Sequence, residues 1–171
     1  MTITKHHQRE LETTASATYS PCELYRYELA ITWSDGPAVM VVGLNPSTAT
    51  ERDNDPTITR LERWARRNGY GSLRMYNAYA YRTPYPHELW QVADPVGPCN
   101  SDFIMGAIAT CAIPVMAWGT NIKPDYEAKL LEQLRRYPIF CFKETKHGHP
   151  SHPLYLSDET LDKFYTFNKF E

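Results

Sequence analysis

The sequence predicts an α/β protein, a three-layer α/β/α sandwich around a central, mainly parallel four-stranded sheet, with one antiparallel strand added on its N-terminal side. Three observations carry that expectation. Residues 38–42, AVMVV, form an unbroken apolar run rich in β-branched side chains, the pattern of a strand buried on both faces. A helix-periodic segment and a second apolar strand follow, and a strand–helix–strand order implies a right-handed crossover with parallel pairing. Two more apolar strands, at 113–119 and 139–142, alternate with further helical segments.

Taken in order, residues 1–20 are polar and lack the apolar centre of a signal peptide, so they read as a poorly ordered lead-in to a single domain over 21–171. From Leu24 to Trp33 the chain alternates and is rich in aromatics, which predicts a half-buried strand. Ser34-Asp35-Gly36-Pro37 breaks it just before the next strand, so the two are expected to be antiparallel neighbours.

The strand at about 38–43 closes on Gly43, which lets a ligand approach the backbone. Pro46 fixes φ and removes a donor, making Leu44-Asn45-Pro46-Ser47 a rigid turn. In open α/β sheets ligands bind outside the carboxyl ends of strands, so Asn45 would stand at the lip of a pocket. As a plain strand-to-helix turn, the same residues would only cap. Asp55 as N-cap, Pro56 at the first helical position and Gly69 at the stop predict a helix over about 56–68. Ile58, Leu61, Trp64 and Ala65 share one face of it, and Arg60, Arg63 and Arg67 another, a solvated face by default.

The strand at about 73–80 carries Asn77 near its end, beside the GLNPS turn; a buried asparagine is costly unless backbone or ligand satisfies it. Pro95-Val96-Gly97-Pro98 fixes a loop, after which Asn100 or Ser101 would cap a helix over about 100–111. The strand at about 113–118 ends on Gly119, an amphipathic helix covers about 124–136, and the strand at about 139–143 runs into KETKHGHPSHPLYL. Three of the chain's six histidines gather in that last loop.

Composition bounds the function. Hydrophobic content of 42% and charged content of 22% are ordinary for a globular protein, and the net charge of −2 gives no overall basic field for nucleic acid. Cys22, Cys99, Cys111 and Cys141 are scattered without zinc or iron–sulfur spacing, so no metal and no cofactor are expected. No apolar run approaches the roughly 20 residues that cross a bilayer. A cytoplasmic protein with reduced thiols is the expectation.

Three strand ends together resemble the uracil-DNA glycosylase superfamily. GLNPS at 43–47 is similar to its first motif, whose Asp or Asn places the attacking water. MYNAYAYRTP at 75–84 is similar to the strand whose asparagine reads the flipped base, and HPSHPLYL at 149–156 to the late loop whose histidine contacts the base carbonyl. The late loop departs by carrying an extra His152, so either His149 or His152 would face the pocket. More closely, the chain resembles the domain-of-unknown-function family 1643 through LNPST, NDPT, RNGYG, DPVGP, AWG and KHGHPSHPLYL.

The glycosylase resemblance implies a uracil-DNA-glycosylase-like fold and a site with Asn45 and His149 catalytic. Gly43, Leu44, Pro46, Ser47, Asn77, Tyr79, Ser151 and His152 would bind substrate. Asn45 would orient water, a loop histidine would stabilise the departing base, and Asn77 would offer donor and acceptor to its pairing edge. Tyr79, Tyr81 or Trp118 would supply a stacking ring. The implied function is binding of a nucleobase, with hydrolytic excision of a damaged or modified base from DNA. The partner is DNA or a small molecule carrying a base, with no membrane. The alternative is a protein that holds or modifies a nucleotide or nucleoside without excising the base. A metal-dependent hydrolase using Asp53, Asp55, His147 and His149 is a third reading, weakened because helix capping already accounts for the aspartates.

Overall fold

The computed structural model describes residues 1–111 and 113–167. In chain order the elements are β1 (Ile3–Glu10), β2 (Thr13–Tyr19), β3 (Arg26–Thr32), β4 (Ala38–Gly43), α1 (Pro56–Arg67) and β5 (Ser72–Asn77). Then come α2 (Asn100–Ile108), β6 (Ile113–Met116), α3 (Pro124–Leu134), β7 (Phe140–Cys141), α4 (Asp158–Asp162) and β8 (Tyr165–Thr166). Short 3-10 turns occupy Pro86–Gln91 and Pro153–Tyr155.

Among the described residues the strands form one mixed eight-stranded sheet in the order β1-β2-β3-β5-β4-β6-β7-β8. The pairs β1·β2, β2·β3, β3·β5 and β7·β8 are antiparallel, while β4·β5, β4·β6 and β6·β7 are parallel. This corrects the expectation of a glycosylase-like sandwich around a mainly parallel four-stranded sheet. Apolar runs mark the buried parallel strands, whereas strands made of threonine, alanine and polar residues, as in β1 and β2, carry no such signal. The first twenty residues are the largest correction, since they form the β1–β2 hairpin rather than a loose lead-in. Ala15, Ala17 and Tyr19 of β2 are buried in the core. The strand β3 is also not the neighbour of β4. It pairs with β5, Leu29 opposite Met75 and Ile31 opposite Leu73.

Two apolar cores lie on the two sides of the sheet, as strand alternation requires. Val39 and Val41 of β4 join Leu29, Ile31, Leu73 and Met75 beneath α1. Met40 and Val42 join Tyr76, Met116 and the inward residues of α2 and α3. The helix α1 follows its local signals: the Asp55 carboxylate accepts from Ile58 N at 2.8 Å, and Ile58, Leu61, Trp64 and Ala65 are buried. Of its outer arginines, Arg60 pairs with Asp158, Arg66 with Glu62 and Arg67 with Asp162, while Arg63 is exposed and in none of the ion pairs among the described residues. The expected cap of α2 differs. The helix starts at Asn100 itself, whose side-chain amide donates to the backbone carbonyls of Asn77 and Ala78 at 2.9 and 3.0 Å.

Candidate functional site

The parallel pair β4·β5 ends with Gly43 opposite Asn77. A cavity of about 470 Å³ opens at these carboxyl ends. Its walls come from the Leu44–Ser47 turn, the first turn of α1, the loop after β6 and the loop before the Pro153–Tyr155 turn. A volume of that size suits a small organic ligand.

Asn77 is the most unusual group in it. Its side chain is 1% exposed, yet neither the amide nitrogen nor the amide oxygen has a hydrogen-bond partner. An unpaired buried donor or acceptor costs about 1–3 kcal/mol, so two on one residue call for a function. Gly43 makes the room. A Cβ there would lie 2.6 Å from Met75 Cε and 3.1 Å from Asn77 Oδ1.

Asn45 is held rather than free. Its amide nitrogen donates to the carbonyls of Pro46 and Thr83 at 3.0 and 2.7 Å. This leaves its Oδ1 as an acceptor at the cavity wall. Leu44 and Ser47 also line the wall, whereas Pro46 is buried behind it, its carbonyl accepting from Thr83 N.

The two histidines of the late loop separate. His152 and Ser151 line the cavity, and His149 does not. His149 Nδ1 meets the Glu127 carboxylate at 2.8 Å, and the same carboxylate accepts from Trp118 Nε1 at 2.9 Å. That chain of contacts ties the loop to α3 and orients the Trp118 indole, which is part of the wall. His152 Nδ1 accepts from Leu154 N at 3.4 Å, which selects the tautomer with the proton on Nε2. Burial pushes the His152 imidazole below its ordinary 6.5, opposed by the Asp55 carboxylate, so the ring is neutral at pH 7.

Tyr79 is not a stacking platform. It is 2% exposed in the core under α3, its ring against Tyr126 and its hydroxyl accepting from Lys123 N at 3.0 Å. Tyr81 packs edge-on to Tyr25 and lies outside the cavity lining. Among the described residues no group of three or more His, Cys, Asp or Glu is placed to hold a metal ion. Asp55 instead caps α1, and its outer carboxylate edge contributes to the wall.

The residue that sequence reasoning missed is Arg26. The register of β2 with β3 runs Thr18 to Glu28 and then Tyr19 to Arg26, so Tyr27 is an extra residue, a β-bulge. Glu28 therefore faces Arg74 and Tyr76 on one side of the sheet, while Arg26 turns to Ala49 and the cavity on the other. Strict alternation would have placed both on one face, and nothing local in YRYEL announces the bulge.

Comparison with known proteins gives one match. The family model described as "Protein of unknown function (DUF1643)" covers residues 26–154. No curated protein and no solved structure matches the chain. The matched segment runs from the bulge arginine, through the Gly43–Ser47 turn and Asn77, to the His152 loop, and so contains every cavity element described above. On that span, the chain belongs to the DUF1643 family.

Proposed function

We propose that the cavity binds a nucleobase and that the protein cleaves the N-glycosidic bond of that base. The observation that carries this reading is Asn77, a buried amide with donor and acceptor both unpartnered at the end of β5. A planar heterocycle with adjacent donor and acceptor satisfies both at once. The likeness of GLNPS, of the Asn77 strand and of HPSHPLYL to the motifs of uracil-DNA glycosylases supports the same assignment.

Asn45, His152 and Trp118 of the wall each have a part in that chemistry. Cleavage builds positive charge on the sugar and negative charge on the leaving base. Asn45 Oδ1 accepts from the attacking water and orients it. His152, neutral with its proton on Nε2, donates to the base oxygen as charge develops there. It takes the place that the resemblance implied for His149, which acts behind it by fixing the loop through Glu127. Trp118 offers an apolar face to the ring.

A panel of free nucleotides and of single- and double-stranded oligonucleotides carrying uracil, hypoxanthine and hydroxymethylated or glucosylated bases tests excision, with released base read by chromatography and abasic sites by alkaline cleavage. The expected result is cleavage of one class. Asn45→Ala should slow it by about 2–4 kcal/mol of transition-state stabilisation, the effect of losing one pre-organised polar contact. A second reading, binding without excision, is favoured by the net charge of −2 and by the ion pairing of Arg60, Arg66 and Arg67, which reduces the free cationic surface of α1. Absence of base release together with thermal protection by free nucleosides selects it. Absence of both rejects the cavity assignment.

A further inference from the structure

Arg26 contributes to the cavity wall a chemistry that base binding leaves unused. Its side chain is 2% exposed. None of the ion pairs among the described residues includes it. One guanidinium nitrogen, Nη1, donates to the Ala49 carbonyl, and Nε–H has no partner. Burial pulls its pKa down to about 10, so it remains a cation at neutral pH.

A buried charge without a counter-ion costs several kcal/mol, and chains ordinarily relieve it with a carboxylate. Asp55, the acidic residue of the wall, opposes that lowering of the Arg26 pKa through space, but it caps α1 and forms no ion pair with Arg26. Arg82 adds a second, opposing positive charge nearby. Thr57 and Ile58 bring the positive end of the α1 dipole to the same wall, and the first turn of that helix carries no acidic residue. Arg26 lines the cavity with its Nε–H buried and unpartnered, and a planar guanidinium with unused donors is shaped for two parallel bonds to an oxyanion. The bulge at Tyr27 is what aims it inward.

We propose that Arg26 is an anion subsite of the cavity and that the ligand is a free nucleotide, its terminal phosphate on Arg26 and its base on Asn77. The base half of this assignment rests on the function proposed above; the phosphate half rests on Arg26 alone. The phosphate is a terminal one because its second charge gains from a guanidinium that has no ion-pair partner, and because a net charge of −2 gives a strand no wider cationic field.

Calorimetric titration and thermal shift of the full chain, at one fixed ionic strength, test it with inorganic phosphate, the common nucleosides and their 5′-monophosphates. Two further probes are short oligonucleotides with a 5′-phosphate or a 5′-hydroxyl. The expected result is that at least one monophosphate binds about tenfold or more tighter than its nucleoside, the effect of a charge-assisted contact. Arg26→Gln should erase that difference and leave nucleoside affinity in place, and Arg26→Lys should keep part of it. Should Arg26→Gln fail to fold, the wild-type comparison decides.

Nucleosides that bind as well as their monophosphates overturn the Arg26 subsite and leave base binding standing. Arg26-dependent stabilisation by phosphate, with no added affinity from any base, supports the anion subsite and overturns the base reading beneath it. A 5′-phosphorylated oligonucleotide that binds tighter than the mononucleotide overturns the free-nucleotide assignment in favour of a strand end. No response to phosphate or to any monophosphate overturns the proposal outright.

Discussion

Asn77 and Asn100 are both buried asparagines, and the contrast between them separates structural from functional polarity. Asn100 holds the backbone of Asn77 and Ala78 with its amide nitrogen and has one unpartnered atom, Oδ1, outside the cavity lining. Asn77, gripped in this way, lines the cavity with a side chain whose donor and acceptor are both buried and unpartnered. If these groups serve a ligand, the ligand-free protein carries their desolvation as a burden. Asn77→Leu, which keeps the branched shape, should therefore raise ligand-free stability by about 1–2 kcal/mol while abolishing nucleobase binding. Urea denaturation with and without ligand reads both, and a fall in stability of core-substitution size would make Asn77 a structural residue. Asn77 and Asn45 were legible from sequence because each stands at the end of an apolar run with a turn signal after it. Arg26 was not legible, because its direction depends on a bulge fixed by pairing with a strand distant in sequence.

At the scale of elements, α1 was the most legible, since Asp55, Pro56 and the apolar spacing act within one or two turns. The late loop was half legible: its histidines marked it, but only the pairing of His149 with Glu127 shows that His152 is the one turned to the cavity. That placement has a pH signature. The folded-state pKa of His152 lies below the ordinary 6.5, chiefly through burial. Between the folded value and 6.5 the unfolded chain binds a proton that the folded chain does not. Stability contributed by the neutral ring is thus full above 6.5 and declines as pH falls through that window. Unfolding free energies measured from pH 8 to pH 5 should show the decline, and His152→Gln should flatten that part of it. An unchanged slope in the variant would place the His152 ring in solvent.

For the whole molecule, the sheet's extent was the least legible property. The parallel strands announce themselves through β-branched apolar runs, whereas Thr13–Tyr19, TTASATY, offers small residues whose value appears only when they lie against β3. Yet this hairpin is fastened at the rear of the site. Arg9 donates to the carbonyls of Glu51 and Thr50 at 2.9 and 2.8 Å, and Tyr19 donates to the Glu51 carboxylate at 3.0 Å. Those contacts hold the segment whose Ala49 carbonyl anchors Arg26. The hairpin also covers the edge of β3, which would otherwise present unpaired backbone groups. Deleting residues 1–20 removes Ala15, Ala17 and Tyr19 from the core, where they stand opposite Ile31, Leu29 and Arg26. A buried aromatic alone accounts for about 3–5 kcal/mol, a large share of the 5–15 kcal/mol that ordinary domains possess. The truncated chain is expected to aggregate or to lose cooperative unfolding, although the deletion leaves the family-matched segment intact. Circular dichroism melts and size-exclusion profiles of the two lengths check this. A truncated protein that melts within a few degrees of the full chain would reduce the hairpin to an accessory and free the Arg26 environment from dependence on it.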